Sequence, residues 1–581
     1  MHTQARKCFV GVDVGTGSAR AGVFDVEGRL LGMATSGIST RQPAPGHFEQ
    51  SSDEIWRACC ISVREALSKA GKPQVEGIAF DATCSLVVAG TRHPLAVGAD
   101  LPDTPDDAPH GITNSTNQTY DIILWCDHRA VHEAQTINDS GHQLLQFVGG
   151  QVSPEMEMPK LAWLKKFKPK TYAGAARFYD LHDYLLHRAA DFKSTRGSAA
   201  GIRSLCTVVC KWNFNAAARS WDAGFFESAQ LADLPYEKIG SPADVQDVGS
   251  AVPEGLGPKA AQDLGLPEGT VLGVGAIDAH AGGIGCLGVS AGTVPLEGRL
   301  ALIAGTSACH MASSTVAVNI PGIWGPYESA MIPGLYLAEA GQTAAGAALD
   351  FIIESHAAYP ELQAQADAAS CSPSEVLNHL VRKLAESHGL QHAYLTRGIF
   401  VGPDFSGNRS PLADPNLRGS VIGLGPAGDP KQAASLDALA VLYLATIQAL
   451  AYSSRSIIET MNSARAEAGV VSISSIHICG GLAQNALYLQ EHADILNLPL
   501  HCTKCPSADV IRGSAMVAAT AAGEFASVPE AMSAMQQQGL TTKPQEDPQL
   551  QRFHNARYQI FLRMQRHLQE YQALEASALE T

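Results

Sequence analysis

Apolar residues run without interruption through Cys8-Phe9-Val10-Gly11-Val12 and end on Asp13-Val14. After Gly15-Thr16-Gly17-Ser18 a second run, Ala21-Gly22-Val23-Phe24-Asp25, returns. The pattern predicts a buried β-hairpin. Residues 53–69 have helical spacing behind Ser51-Ser52, and Val75–Phe80 reads as a strand leading into Asp81-Ala82-Thr83-Cys84-Ser85. Residues 91–120 break the alternation with Asp100, Asp103, Asp106 and Asp107 among Pro94, Pro102, Pro105 and Pro109, which predicts a solvated loop insertion. Order resumes at Ile122-Ile123-Leu124-Trp125. Val271–Ala276 reads as a strand that meets Asp278 and a small-residue helix, Ala279–Gly285. Further on come a strand at 301–304 with the turn Gly305-Thr306-Ser307-Ala308, a helix over 435–465, and a strand Ser475–Cys479 before Gly480-Gly481. A polar helix over 551–577 closes the chain, with Phe553, Phe561, Met564, Leu568 and Tyr571 as its expected packing face.

The Gly-Thr turn at 305 repeats the one at 15 about half the chain later, each behind a strand, which suggests two similar halves. A chain of 581 residues with 45% hydrophobic positions has room for two to four domains and a large core. Lys and Arg number 41 against 57 Asp and Glu, a net charge of −16, and no long basic block exists, so a nucleic-acid partner is not expected. The longest apolar run, between Asp437 and Arg455, is interrupted by Thr446 and Gln448 and reads as a buried helix, not a membrane span. Asp13 arrives before any signal-like segment develops, so a cytoplasmic location is expected. Thirteen cysteines do not suggest a disulfide framework, and Cys502-x-x-Cys505 has no second ligand pair at zinc-finger spacing. The N-x-S/T matches at Asn114 and Asn117 carry no weight in a cytosolic protein.

Gly423-x-Gly425-x-x-Gly428 is interrupted by Pro426 and lacks a surrounding βαβ unit, so it does not read as a dinucleotide site; no Walker motif is present. Asp13 to Arg20 is more informative. Thr16, Gly17 and Ser18 offer backbone amides and hydroxyls to an anion, Arg20 adds charge, and Asp13 could hold hydrated Mg²⁺; a tight turn with a capping Asp is the plain alternative. Gly305, Thr306 and Ser307 offer the same chemistry, and Gly480, Gly481 and Asn485 form a third close-approach site suited to a nucleoside. Asp278, between strand and helix, is either an N-cap or a base taking a proton from a hydroxyl in phosphoryl transfer. Trp125-Cys126-Asp127-His128-Arg129 suits a polyol, or is a solvated salt-bridge turn.

With D-V-G-T-G-S-A-R at 13–20, W-C-D-H-R at 125–129, G-V-G-A-I-D at 273–278, A-G-T-S at 304–307 and C-G-G-L-A-Q-N at 479–485, the chain resembles the FGGY carbohydrate kinases from about residue 8 to 525. The stretches 81–86 and 405–415 look like the D-ribulokinase branch, while the insertion at 91–120 departs from the usual pattern and bears on the rim of the sugar site. The resemblance implies an α/β fold of two ribonuclease H-like (actin-like ATPase) lobes with the active site in the cleft between them. It sets an N-terminal lobe at 6–288, a C-terminal nucleotide-binding lobe at 289–545 and a helical extension at 546–581. By the same resemblance Asp278 is the catalytic base and Asp13 organises Mg²⁺. Thr16, Gly17, Ser18 and Arg20, with Gly305, Thr306 and Ser307, hold phosphates, and Gly480, Gly481 and Asn485 lie under the adenosine. Thr83, Cys84, Asp127, His128, Arg129 and Asp278 face the sugar. The expected activity is ATP-dependent phosphorylation of a pentulose, D-ribulose to D-ribulose 5-phosphate. The alternatives are another ketopentose or pentitol (L-ribulose, D-xylulose, ribitol, xylitol), or an actin- or chaperone-like ATPase switch in which the sugar residues would be idle. No membrane partner is expected, and a homodimer is compatible with the family.

Overall fold

In a computed structural model of the chain, every residue from Cys8 to Val14 is buried, so the strand Lys7–Val14 is covered on both faces. The structure describes residues 7–91, 94–98, 100–101, 103, 118–191, 201–289, 292–425, 433–537 and 539–579. These fall into two compact units. The first holds Met1–Ser290, Ser313–Ala338 and Ala508–Gln538; the second holds Ala291–Ala312, Glu339–Ser507 and Gly539–Thr581.

The first unit's main sheet has the order Ala251–Val252, Val271–Ile277, Gln74–Ala82, Lys7–Val14, Ser18–Asp25, Leu30–Gly37. The last three strands form an antiparallel meander, while Lys7–Val14, Gln74–Ala82 and Val271–Ile277 run parallel. Side chains alternate between the faces. Val10 and Val12 share a core with Ile55, Cys59 and Val63 of the helix Ser52–Lys69. Gly11 faces the other way, against the helix Asp509–Ala521, and a Cβ there would lie 1.8 Å from the Ile511 carbonyl oxygen. That helix follows the second unit's strands in sequence, yet it packs in the first unit. It crosses the helix Asp278–Leu287 at backbone contact: a Cβ on Gly285 would meet the Asp509 oxygen at 1.9 Å. The small residues of 279–285 therefore exist to let two helices touch.

In the other large sheet, most of which lies in the second unit, Tyr336–Gln342, Ala308–Ser314, Arg299–Ala304, Ser475–Cys479 and Leu500–Thr503 stand in the same third-second-first-fourth-fifth order, and Gly539–Thr542 extends the edge. The repeat seen in the sequence is thus a repeat of topology. The two turns are not identical, however. Val14 pairs with Ala19 and leaves four residues between them, whereas Ala304 pairs with Ala308 and leaves three. The helix Leu436–Glu467 is long and apolar enough to cross a membrane, but 83% of its most apolar window is buried in the protein, as the run at 437–455 predicted.

Two expectations change. Of the segment 91–120 the structure describes 91, 94–98, 100–101, 103 and 118–120; the rest lies outside the described residues. The described part is not solvated throughout. Leu95, Ala96 and Val97 are buried, Leu95 N–H donates to the Val88 oxygen and Val97 N–H to that of Tyr120, because a short apolar stretch inside the acidic run pairs with a neighbouring strand. The C-terminal helix, Pro548–Leu579, packs through His554, Tyr558, Phe561 and Met564 against Ala451, Tyr452 and Ile495. Tyr571 is exposed, because the residues that meet the second unit's core end near Gln565.

Candidate active site

Open α/β sheets gather ligands at the carboxyl ends of their parallel strands, and the first unit places three acids there. Asp13 lies opposite Asp81 in register, Ala276 lies opposite Asp81 on its other side, and Asp278 opens the following helix. Asp13 and Asp81 are buried and Asp278 is half-buried. Burial and then the Asp13 charge push the Asp278 carboxyl up to about 6, opposed by its own bond from Ala279 N–H at 2.7 Å and by His280 and Lys211. Burial, followed by the Asp13 charge, holds Asp81 well above the usual carboxylate range, although the Ser514 hydroxyl donates to its Oδ2. Asp278 is not the N-cap of its helix. Ile277 occupies that position, so the carboxylate is the first helical side chain and stays available for chemistry.

Adjacent buried carboxylates repel unless a proton or a cation sits between them. Arg20 answers Asp13 at 2.6 Å on one side, and Asp81 Oδ1 is buried and accepts no hydrogen bond among the described residues. This acidic donor set fits a hard divalent cation such as Mg²⁺, with Asp13 and Asp81 as its protein contacts.

The turn after Asp13 is closed by Gly15 N–H donating to the Ser18 oxygen at 3.0 Å. Thr16 and Gly17 are exposed, and the space where a Gly17 Cβ would stand is open for 4 Å. The Gln50 amide donates to the Thr16 carbonyl at 2.7 Å, and the Trp125 indole N–H donates to the Thr16 hydroxyl at 3.0 Å. The indole bond joins the Gly15–Ser18 turn to the W-C-D-H-R segment. Within that segment the structure separates the residues. Both side chains of the Asp127–Arg129 pair are fully buried. Asp127 Oδ2 accepts from Phe48 N–H (2.7 Å) and Arg129 Nη2 (2.8 Å), while Oδ1 accepts from Arg129 N–H and Nε (2.9 Å each). Arg129 also reaches Glu49 at 3.0 Å and the Val97 oxygen at 3.2 Å. All four acceptor sites of Asp127 are used internally. His128 is exposed, 3.9 Å from Glu155, and that carboxylate raises its pKa. Thr83 and Cys84 are buried just past the strand that carries Asp81, with the Thr83 and Ser85 hydroxyls 3.2 Å apart. Burial pushes the Cys84 thiol up, so it is neutral.

In the second unit Gly305 N–H donates to the Ser307 oxygen at 2.9 Å, and the Thr306 carbonyl accepts from Ala345 N–H at 2.9 Å and Ala347 N–H at 3.1 Å, leaving Thr306 exposed. Gly480 has φ +94°, and a Cβ would lie 2.5 Å from the Ala304 oxygen, so only glycine fits. A Cβ on Gly481 would meet open space. Asn485 caps the helix Ala486–Leu496 by accepting from Leu487 and Tyr488 N–H at 3.1 and 3.3 Å, and its amide donates to the Tyr443 hydroxyl at 2.7 Å. Asn485 thus fixes the direction in which the Gly480-Gly481 backbone enters that helix.

Sequence reasoning missed Asp81 as a site residue, together with Ser514, Glu49 and Gln50. Asp81 stood in a quoted motif, but only its register opposite Asp13 marks it as part of the acid group. Ser514 lies 433 positions from the carboxylate it binds, and no sequence spacing reports such a pair.

The FGGY family of carbohydrate kinases matches by its N-terminal domain over residues 8–89 and 112–285 and by its C-terminal domain over residues 300–522. The chain is 41% identical over 580 residues to a human protein named as containing an FGGY carbohydrate kinase domain, covering 97% of each. It is 36% identical over 550 residues to a D-ribulokinase of Saccharomyces cerevisiae, covering 89% of this chain and 72% of that one. Among solved structures, a xylulose kinase of Lactobacillus acidophilus superposes with a TM-score of 0.74 at 16% identity, over 97% of this chain and 98% of that one. A kinase of Brucella ovis gives 0.73 at 19% identity, over 98% and 99%. Such distant likeness speaks for the two-domain, actin-like ATPase fold alone.

Proposed function

The chain belongs to the FGGY family of carbohydrate kinases and is a sugar kinase, and we propose that it phosphorylates a pentulose, D-ribulose, with ATP. The observation that carries the chemistry is Asp278. It is half-buried at the start of a helix, held at about 6 by burial and Asp13, and among the described residues its carboxylate accepts one hydrogen bond, from Ala279 N–H. A base poised there takes the proton of the sugar's terminal hydroxyl as that oxygen bonds to the γ-phosphorus and the bond to ADP breaks; the products are D-ribulose 5-phosphate and ADP. The proton leaves late in such transfers, so Asp278 acts as much by orienting the hydroxyl as by basicity. Mg²⁺, which Asp13 and Asp81 would hold, supplies charge neutralisation of the phosphates.

Thr16, Gly17, Ser18 and Arg20, and in the second unit Gly305, Thr306 and Ser307, are the proposed phosphate contacts. Gly480 and Gly481 are proposed to present backbone to the nucleoside, with Asn485 holding them. Thr83, Cys84, Trp125 and His128 are the proposed sugar contacts, and the Asp127–Arg129–Glu49 network is the frame that fixes them. Support for D-ribulose comes from the 36% identity to the yeast D-ribulokinase. A substrate panel with coupled ADP detection tests it. D-ribulose should exceed L-ribulose, D-xylulose, ribitol and xylitol in kcat/KM by at least about tenfold, the discrimination a hydroxyl-matched site achieves. A higher value for any of the others replaces D-ribulose as the substrate.

The base must be ionised to act, and its pKa is raised, so activity should fall as pH drops through that value. We expect a single acid limb in kcat at or below about 6, because a cation beside Asp13 would favour the charged form. A limb centred above neutrality would assign the titration to another group.

A further inference from the structure

Behind Asp278 the first unit holds a group of ligating side chains that the reaction does not use. Cys206 and Cys210 stand four residues apart on one face of the helix Leu205–Lys211, and His280 stands in the first turn of the helix Asp278–Leu287. All three are buried, and their ligating atoms lie within 4.8 Å of one another; Cys210 Sγ is 3.7 Å from His280 Nε2. We propose that Cys206, Cys210 and His280 form a binding site for one thiophilic divalent cation, Zn²⁺ or a similar ion.

The distances suit it. Zn–S bonds of about 2.3 Å and Zn–N bonds of about 2.0–2.1 Å place tetrahedral ligand atoms about 3.5–3.8 Å apart, so small rotamer changes close the site. Ile277 N–H points at Cys206 Sγ from 3.5 Å, an outer hydrogen bond of the kind that stabilises a metal-bound thiolate. Binding would release the thiol protons of Cys206 and Cys210, with any second proton on the His280 imidazole, to solvent and leave one coordination position for water. Three soft or borderline ligands without a carboxylate discriminate against Mg²⁺, which prefers oxygen. The group is therefore distinct in chemistry from the acidic pair at Asp13 and Asp81. Ile277 immediately precedes Asp278, so an ion here would fasten the start of the base's helix to the helix Leu205–Lys211.

The test is Co²⁺ titration of the full chain after removal of adventitious metal. We expect one bound equivalent with thiolate-to-cobalt charge-transfer absorption, at least about tenfold weaker binding in Cys206→Ser, Cys210→Ser and His280→Gln, and unchanged binding in Cys505→Ser, whose thiol lies in the second unit. Retained sugar phosphorylation by Cys210→Ser with Mg·ATP would show that the variant folds. Should the variants not fold, X-ray absorption of the Zn²⁺-loaded wild-type chain decides, with two sulfur and one nitrogen ligand expected. A wild-type chain without the charge-transfer band, a band that survives in both serine variants, or a first shell without sulfur would overturn the proposal.

Discussion

Asp278→Asn is expected to lower kcat for sugar phosphorylation by about 10³-fold, within the range general bases contribute, while the affinity for ADP changes by less than about twofold. The amide keeps the shape and the contact with Ala279 N–H but cannot take a proton. It also removes the charge repulsion with Asp13, so nucleotide and cation binding should hold or tighten. Calorimetric titration with ADP beside steady-state kinetics separates the two effects. A kcat within tenfold of wild type would deny Asp278 the role of base, and loss of ADP binding along with kcat would mark the substitution as structural.

Arg129→Ala should cost about 3–5 kcal/mol in stability, the usual penalty for removing one partner of a buried ion pair. The guanidinium is fully buried and serves Asp127, Glu49 and the Val97 carbonyl together, so its loss leaves buried Asp127 with backbone donors and buried Glu49 with the Arg41 pair. Burial already holds Glu49 above its ordinary pKa despite Arg129. Without the arginine, Glu49 would be held still higher and would take up a proton on folding, so the variant should recover part of its stability as the pH is lowered. Urea unfolding at neutral and mildly acidic pH measures this. A loss below about 1 kcal/mol, typical of surface pairs, would mean that the network is hydrated.

Much of the fold was legible because burial on both faces of a parallel strand leaves an unmistakable apolar run. Lys7–Val14, Gln74–Ala82 and Val271–Ile277 sit where the pattern put them, as do the helices over 52–69 and 436–467. The C-terminal helix was also found, and Phe553, Phe561 and Met564 of its expected face pack, whereas Tyr571 is exposed. Amphipathic spacing picks out apolar residues, while the buried face includes His554, Arg557 and Gln565, each of which makes a hydrogen bond inside. The segment 94–98 was hidden for the opposite reason, a short apolar stretch masked by acidic neighbours.

The sequence by itself determined where chemistry-bearing residues stand along the strands: an acid at or just past the end of each parallel strand of the first half, and a glycine turn after the first strand of each half. Those features are local, set by side-chain type and backbone freedom. Tertiary structure alone decided which of them act together. Register set Asp81 opposite Asp13, and a helix from residues 509–521 brought Ser514 to it. Folding also closed Asp127 and Arg129 on one another and assembled Cys206, Cys210 and His280 near Asp278. Proximity between residues tens or hundreds of positions apart follows from how sheets and helices stack, and burial then shifts their charge and hydrogen bonding in ways that no linear spacing encodes.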